Sequence, residues 1–307
     1  MELEVAQVVS KVTVHDFVLD YCDRMEWAPG KMDDSLYWAV GQGAGIYVGT
    51  LNEQPITGVA IFQHNESYAF IGLYFCEEQH RGKSYGLKTW RVARASLNPD
   101  INLVLDAVPS AVSLYEREGF KRAWTSSFYA LSTKTIVQEY SKHPAILLRK
   151  REVCTVPANT VDFQKLKSYV ENVIGIAFAR SDFLNLWITL PSHTALAALN
   201  ESQDVVGFGV IRETITLDKN GYRLGPLLAD SGDIARILLY TLAKDVCPKQ
   251  KFIIAAPAEI NPEANRIVTE LNTDCVEEGV NIRMYTKADP PIIAAKYFSV
   301  FSGNIVG

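Results

Sequence analysis

The stretch RGKSYG, residues 81–86, places small and cationic residues between an apolar run and a segment with helical spacing. The apolar run reads as a buried strand, and the segment that follows has the period of an amphipathic helix. Such a turn presents backbone N–H groups at the positive end of a helix dipole, and small side chains let an anion approach them closely. The stretch therefore predicts a binding site for a phosphate group.

The spacing of the glycines distinguishes this turn from two common phosphate loops. No glycine precedes Gly82 at the position that Gly-x-x-x-x-Gly-Lys-Ser/Thr requires, and Gly-x-Gly-x-x-Gly is missing from the stretch as well. The order resembles the pyrophosphate signature Arg/Gln-x-x-Gly-x-Gly/Ala of the GNAT superfamily, the acetyl-CoA-dependent N-acyltransferases. Arg81, Ser84 and Gly86 occupy its three defined positions. Ser84 replaces a glycine, and a positive φ costs a serine more than a glycine.

A second segment strengthens the resemblance. The residues AVSLYEREGF at 111–120 are similar to the family's Ala-x-x-Leu-Tyr-x-x-x-Gly-Phe. The order and separation of the two segments are also those of the family, although Val108 stands where the family often has asparagine. The pair in this order identifies the chain as resembling a GNAT N-acetyltransferase.

The resemblance implies a role for each matching position. The end of the apolar strand would pair with the pantetheine arm of acetyl-CoA, and the amides of the turn would hold its pyrophosphate. Tyr115 would face the thioester sulfur as the general acid for the departing thiolate, although a buried tyrosine in a core is the structural alternative. The residues predicted to bind the co-substrate are Tyr74, Phe75, Cys76, Arg81, Gly82, Lys83, Ser84, Tyr85 and Gly86.

A base must also remove a proton from the attacking amine. Strand ends near the predicted site carry Glu77, Glu78, Asp106 and His64. We predict Glu77 and Asp106 as the base, and solvated surface carboxylates are the alternative explanation.

The segment MEWAPGKMDD, residues 25–34, connects the first two predicted helices. The resemblance places this connection in the acceptor pocket, and the segment is similar to a Trp-x-Pro-Gly-x-x-Asp segment of a two-domain branch of the superfamily. Trp27 and Asp33 are therefore predicted to contact the apolar body and the cation of an amine. A turn with a buried tryptophan is the alternative.

The elements that must position these residues make an α+β domain. Three strands form an antiparallel meander before the turn, and helices interrupt the sheet afterwards. Strands are predicted at 4–13, 45–51, 56–63, 67–76, 101–108 and 120–131, and helices at 14–25, 33–40, 84–97 and 109–118.

The second half repeats this order of elements. Gly207 aligns with Gly58, and Gly225 aligns with Gly72. In the register of the second pair, an offset of 225 − 72 = 153, the turn falls on residues 234–239, whose large apolar side chains would obstruct a pyrophosphate. An internal duplication therefore predicts tandem GNAT-like domains, each a mostly antiparallel twisted sheet flanked by helices. The predicted boundaries are 1–135 for the catalytic domain, 136–145 for a linker and 146–307 for a degenerate second domain.

The composition limits the remaining classes. The 307 residues carry 30 basic and 35 acidic side chains, a net charge of −5, without a basic run that indicates nucleic acid or a membrane surface. The N-terminal residues lack the pattern of a signal peptide, so we expect a cytoplasmic protein. The cysteines and histidines are not clustered at metal-ligand spacing, so we expect no metal site. The scattered cysteines are expected to be buried free thiols; they are Cys22, Cys76, Cys154, Cys247 and Cys275.

The predicted function is transfer of an acetyl group from acetyl-CoA to a primary amine of a small metabolite by direct attack. An acyl-CoA-binding sensor without turnover and a protein N-acetyltransferase are the alternatives. The acceptor, the acyl-chain preference and the oligomeric state, a homodimer included, are left open.

Overall fold

The computed structural model describes the two halves of the chain with gaps between elements. The described residues are 2–22, 25, 27–40, 45–149, 152–175, 181–215, 221–271 and 276–302. Four cysteines in these ranges are free thiols, of which Cys22 is buried whereas Cys154 and Cys247 are exposed, which corrects the expected burial of the last two; Cys275 lies outside the described residues. None of the described helices is both long enough and apolar enough to cross a bilayer.

The first half follows the predicted order of strands and helices. The strand predicted at 4–13 is shorter than expected, because a helix begins at Lys11 and continues as a π-helical turn. Its elements are β1 (Glu4–Gln7), α1 (Lys11–His15) with the π-helical turn (Asp16–Tyr21), α2 (Asp33–Val40), β2 (Gly45–Leu51), β3 (Gln54–Gln63), β4 (Tyr68–Cys76), α3 (Tyr85–Ala95), β5 (Asn102–Ala107), α4 (Val112–Arg117) and β6 (Lys121–Ser132).

The predicted linker is helical. Residues Thr133–Tyr140 form α5, and Pro144–Arg149 form α6. Ile136 and Tyr140 of α5 are buried in the core of the second half. The polar residues of this segment lie on the outer face of an amphipathic helix, so their polarity does not mark an extended connection.

The second half contains the predicted repeat. Its strands and helices are β7 (Cys154–Pro157), α7 (Phe163–Ile174), α8 (Ser181–Thr189), β8 (His193–Leu199), β9 (Val205–Glu213), β10 (Gly221–Ala229), α9 (Gly232–Lys244), β11 (Lys251–Ala256), α10 (Pro262–Thr269), β12 (Val276–Tyr285) and β13 (Tyr297–Ser299).

The strands of both halves form one continuous sheet in the order β1-β2-β3-β4-β5-β12-β6-β11-β10-β9-β8-β7. The halves exchange strands at the seam, because β12 lies between β5 and β6 and β6 lies between β12 and β11. Among the described strands, the parallel pairs are β4 with β5 and β10 with β11. Each half is therefore closed by a strand of the other.

The sheet separates two layers in the first half. On one face, α3 packs through Trp90 and Ala93 against apolar residues of β3, β4 and β5. On the other face, the π-helical turn and α2 pack through Val18 and Leu36 into a core that continues into the second half. These apolar stripes follow the 3.6-residue period of the helices.

The parallel strands β4 and β5 diverge near their carboxyl ends. They pair from Tyr68 opposite Asn102 to Ile71 opposite Leu105. Beyond this point Leu73 has a φ of 50°, and the pairing of β4 with β3 shifts register. The last residues of β4 therefore turn their backbone groups toward a gap in the sheet.

The same divergence occurs in the second half but is filled. Strands β10 and β11 pair only as far as Leu224 opposite Ile254. Strand β13 then pairs antiparallel with the end of β10, and the Val300 amide donates to the Ala255 carbonyl oxygen of β11 over 3.0 Å. Residues 297–302 are buried. The chain itself thus occupies the gap between these strands.

Candidate active site

The turn at 81–86 has the conformation that an anion site requires. Gly82 and Ser84 have φ values of 76° and 63°, both in the left-handed region. Ser84 is the residue before α3, and its side chain caps no amide of that helix. We call residues 81–86 the cradle. The substitution of serine for glycine costs backbone strain here, because a left-handed residue with a Cβ is disfavoured by about 1–2 kcal/mol.

The amides of the cradle are available to a ligand. Within the described part of the chain, the N–H groups of Gly82, Lys83, Ser84, Tyr85 and Leu87 donate to neither a backbone nor a side-chain acceptor. Helix α3 adds its dipole and has no acidic residue in its first turn. Unpaired donors in this arrangement suit a phosphate or pyrophosphate group.

Gly86 has a packing role that the motif did not reveal. A methyl group at this position would lie 2.8 Å from the Tyr74 hydroxyl oxygen and 3.4 Å from Cβ of Cys76. The absence of a side chain therefore lets α3 begin directly against β4, which brings the cradle next to the open strand edge. The Gly86 amide also lies within hydrogen-bonding reach of the Cys76 thiol.

A cavity of about 1230 Å³ extends from the cradle along the end of β4 and across the seam. Its volume exceeds the usual range for one small-molecule site, so it has room for a donor and an acceptor. Among the residues predicted for the co-substrate, Lys83 lies outside the lining, and its Nζ donates to the Gln79 carbonyl oxygen. The others line the cavity: Tyr74, Phe75, Cys76, Arg81, Gly82, Ser84, Tyr85 and Gly86.

Tyr115 reaches the cavity from α4. Its side chain is only 8 % exposed and packs against Tyr74, Trp90 and Phe120. Burial raises the pKa of Tyr115 well above its usual value, and burial also raises the pKa of Tyr74 to about 12. Both phenols therefore stay protonated near neutral pH, as a proton donor must.

Asp106 lines the cavity but is already paired. Its Oδ1 accepts from Arg283 Nε over 2.5 Å, and its Oδ2 accepts from Arg283 Nη2 over 3.2 Å. The two side chains are 4 % and 2 % exposed, and the guanidinium lies 4.5 Å from the centre of the Trp124 ring. Both carboxylate oxygens are thus occupied, which corrects the expectation of a free base at this position.

The other predicted bases lie away from the reacting centre. Glu77 and Glu78 follow the end of β4, and His64 is buried beyond the far end of β3; none of the three lines the cavity. His80 does line it, beside Tyr85 of the cradle. The pyrophosphate signature does not indicate His80, because its defined positions begin at Arg81.

The structure places one of the two residues predicted to bind the amine in the cavity and the other outside its lining. Trp27 lines the cavity. The Asp33 carboxylate pairs with Arg212 of β9, the two side chains being 5 % and 0 % exposed, and it also accepts from the Gly30 amide over 2.9 Å. Asp33 therefore fastens the segment to the second half, which corrects its assignment to the amine.

Several lining residues come from the second half, and they reach the cavity because β12 and β6 are exchanged. Arg223 of β10 belongs to a segment similar to the family's Tyr-Arg-x-Gly-Pro, which suggests a contact with a carboxylate of the acceptor or a surface ion pair. No local motif marks the lining residues on β11 and β12, which the sequence interpretation missed. They are Ile253, Gly279, Val280 and Asn281.

Comparisons with known proteins agree with this geometry. A family model described as an acetyltransferase (GNAT) domain matches residues 171–298, in the half that lacks the cradle. A putative acetyltransferase from Pyrococcus horikoshii has a similar structure, with a TM-score of 0.71 at 19% identity, covering 99% of this chain and 95% of that one. The chain is an acyltransferase whose residues 171–298 match the GNAT domain and whose fold is that of tandem GNAT proteins.

Two further relatives support the tandem arrangement and the reaction class. A tandem GNAT protein from the clavulanic acid biosynthesis pathway aligns with a TM-score of 0.58 at 11% identity, covering 94% of this acyltransferase and 100% of that chain. A holothin acyltransferase from Pseudoalteromonas sp. (strain SANK 73390) is 23% identical over 232 residues, which is 76% of this chain and 72% of the relative. The predicted fold class and the GNAT-like character of the second half are confirmed.

Proposed function

We propose that this acyltransferase moves the acetyl group of acetyl-CoA to a primary amine of a small metabolite in the cavity of its first half. The unpaired amides of the cradle, next to the open end of β4, carry this proposal. The cradle holds the pyrophosphate, and the backbone of Tyr74, Phe75 and Cys76 pairs with the amides of the pantetheine arm. This arrangement directs the thioester toward the cavity interior.

The residues then assist a direct displacement. The neutral amine nitrogen attacks the thioester carbonyl carbon, the C–S bond breaks, and the departing thiolate takes a proton from the Tyr115 hydroxyl. Positioning of the two reactants supplies much of the rate. Because Asp106 is paired and Glu77 lies outside the lining, we propose that the proton of the amine leaves through water in the cavity rather than directly to either carboxylate.

The experiment is a calorimetric titration with acetyl-CoA, followed by thiol release measured against a panel of small amines and peptide amines. We expect one acetyl-CoA bound per chain, because β13 fills the corresponding gap of the second half. We also expect acetylation of small amines in preference to peptides. Binding without transfer to any amine would instead indicate a sensor, and transfer mainly to peptides would indicate a protein N-acetyltransferase.

A further inference from the structure

The cavity has two ends of different chemistry. The end at the cradle is polar and includes His80, Arg81 and Ser84. The other end lies beneath Met25, Trp27 and Ala28, across β5 from the cradle. We call this end the apolar arm, and it is lined by Met25, Trp27, Ala28, Phe128 and Ile253.

The floor of the apolar arm is the seam of the sheet. Gly279 of β12 lies opposite Phe128 of β6, so no side chain covers the ring from the neighbouring strand. Ile253 of β11 lies opposite Ala130, which is two residues from Phe128 and therefore on the same face of β6. The exchange of β6 and β12 thus creates an apolar surface that neither half has alone.

The roof of the arm is Trp27, which several contacts hold in place. Arg223 of β10 donates through Nη1 to the Trp27 carbonyl oxygen over 2.8 Å, and its guanidinium carbon lies 5.7 Å from the centre of the Phe128 ring. The Trp27 ring meets Tyr21 edge to face at 6.3 Å, and Tyr21 stacks on Phe75. Trp27 and Phe128 are each only partly buried, so both rings offer apolar surface to the cavity.

We infer that the acceptor is an amine carried on an apolar body that contains a ring, and that the apolar arm binds this body between Trp27 and Phe128. The inference rests on the proposed acetyl transfer. Rings pack well against aromatic side chains, whereas the ammonium groups of a polyamine would lose hydration here beside the positively charged Arg223 guanidinium.

The position of the arm favours the acceptor over a long acyl chain. The thiol leaves on the side of β4 and the cradle, whereas the arm lies beyond β5 on the seam. An amine that enters from the arm therefore reaches the carbonyl carbon from the side away from the leaving sulfur.

The test compares 2-phenylethylamine with propylamine, glucosamine and spermidine at saturating acetyl-CoA. We expect kcat/KM for 2-phenylethylamine to be at least about 10-fold above each of the others, as the fit of one apolar group commonly yields. Trp27→Ala should raise KM for 2-phenylethylamine by about 10-fold and reduce the preference for this amine over propylamine, while the acetyl-CoA affinity stays unchanged. The control is Trp38→Ala, because Trp38 is a tryptophan of α2 that is 43% exposed outside the cavity.

Each other outcome decides against the inference in a recognisable way. Normal acetyl-CoA binding and transfer without preference for the ring would overturn it and leave the proposed function intact. If Trp27→Ala alters the preference between hexanoyl-CoA and acetyl-CoA but not the KM for the amine, the arm belongs to the acyl chain. Absence of transfer to every amine would overturn the proposed function and the inference with it.

Discussion

The two halves differ where a strand leads into a helix, at β4–α3 in the first half and at β10–α9 in the second. In each half a serine directly precedes the helix. In the first half, β4 reaches α3 through residues 77–84, and Ser84 is left-handed with no side-chain cap. In the second half, β10 reaches α9 through Asp230 and Ser231 alone; Ser231 is extended, and its Oγ accepts from the Ile234 amide. A capped helix start satisfies its own amides, whereas an uncapped one leaves them for a ligand.

This comparison corrects the alignment of the two halves. The cradle was matched with residues 234–239, but these lie inside α9, and no cradle precedes that helix. Asp233 in its first turn would also repel a phosphate. Together with the filled gap at β13, the junction explains how two related halves yield one candidate cofactor site.

The largest predicted effect tests whether the second half closes the first. Arg283→Met leaves Asp106 as a buried, unpaired charge, so the free energy of unfolding should fall by about 3–5 kcal/mol. The double variant Arg283→Met with Asp106→Leu should recover most of this loss. The measurement is urea unfolding of the full chain.

Lys287 offers a matched control for this ion pair. Its pair with Asp100 also joins the halves, but the side chains are 43% and 89% exposed. Lys287→Met should therefore cost no more than about 1 kcal/mol. Equal losses of unfolding free energy in Arg283→Met and Lys287→Met would show that the burial of the Arg283–Asp106 pair does not affect stability.

The next effect concerns the cradle itself. Gly86→Leu places a side chain against Tyr74 and displaces α3 from β4, so the Kd for acetyl-CoA should rise by at least about 100-fold, or about 2.7 kcal/mol. Calorimetry measures the binding, and a thermal melt verifies the fold. Val92→Leu enlarges a 39% exposed side chain of the same helix outside the cavity lining and should change the Kd little; equal weakening in both would argue against the packing role of Gly86.

Tyr115→Phe separates chemistry from binding. Loss of the proton donor should lower kcat by about 100-fold, while the Kd for acetyl-CoA stays unchanged. Because burial raises the pKa of Tyr115, the phenol is protonated below that pKa and would lose its proton only above it. Tyr115 therefore should not cause any fall in the wild-type kcat between pH 7 and about 10, the usual tyrosine pKa.

Tyr47 is the matched control for this variant. It is likewise 8% exposed and belongs to the same apolar cluster, but it does not line the cavity. Tyr47→Phe should leave kcat unchanged. A kcat for Tyr115→Phe equal to that of the wild type would remove Tyr115 from the chemistry.

The smallest effect compares the two serines directly. Ser84→Gly relieves left-handed strain and should raise the free energy of unfolding by up to about 1 kcal/mol after the entropy cost of glycine. Ser231→Gly removes a side-chain cap from an extended residue. It should lower the free energy of unfolding by about a few tenths of a kcal/mol, the usual cost of replacing a capping residue by glycine. Chemical denaturation of both variants measures the signs, and the same sign in both would contradict the comparison.

Much of the first half could be predicted from the sequence because its signals are local. The strand at 45–51 has the predicted bounds, and the cradle was recognised from the spacing of Arg81, Ser84 and Gly86. The bounds of the strand at 4–13 were wrong, because a helix begins at Lys11, directly after the N-cap residue Ser10, where the alternating apolar residues indicate a strand. Turn and helix propensities depend on a few neighbouring residues, so they can be read along the chain.

The sequence by itself determined the repeated order of elements and the turn between β4 and α3. Only the tertiary structure decided that Arg283 pairs with Asp106, that Asp33 pairs with Arg212, and that β13 fills the gap between β10 and β11. These partners are far apart along the chain. Their pairing depends on which strand edges remain open after both halves fold, and no local pattern of residues encodes that choice.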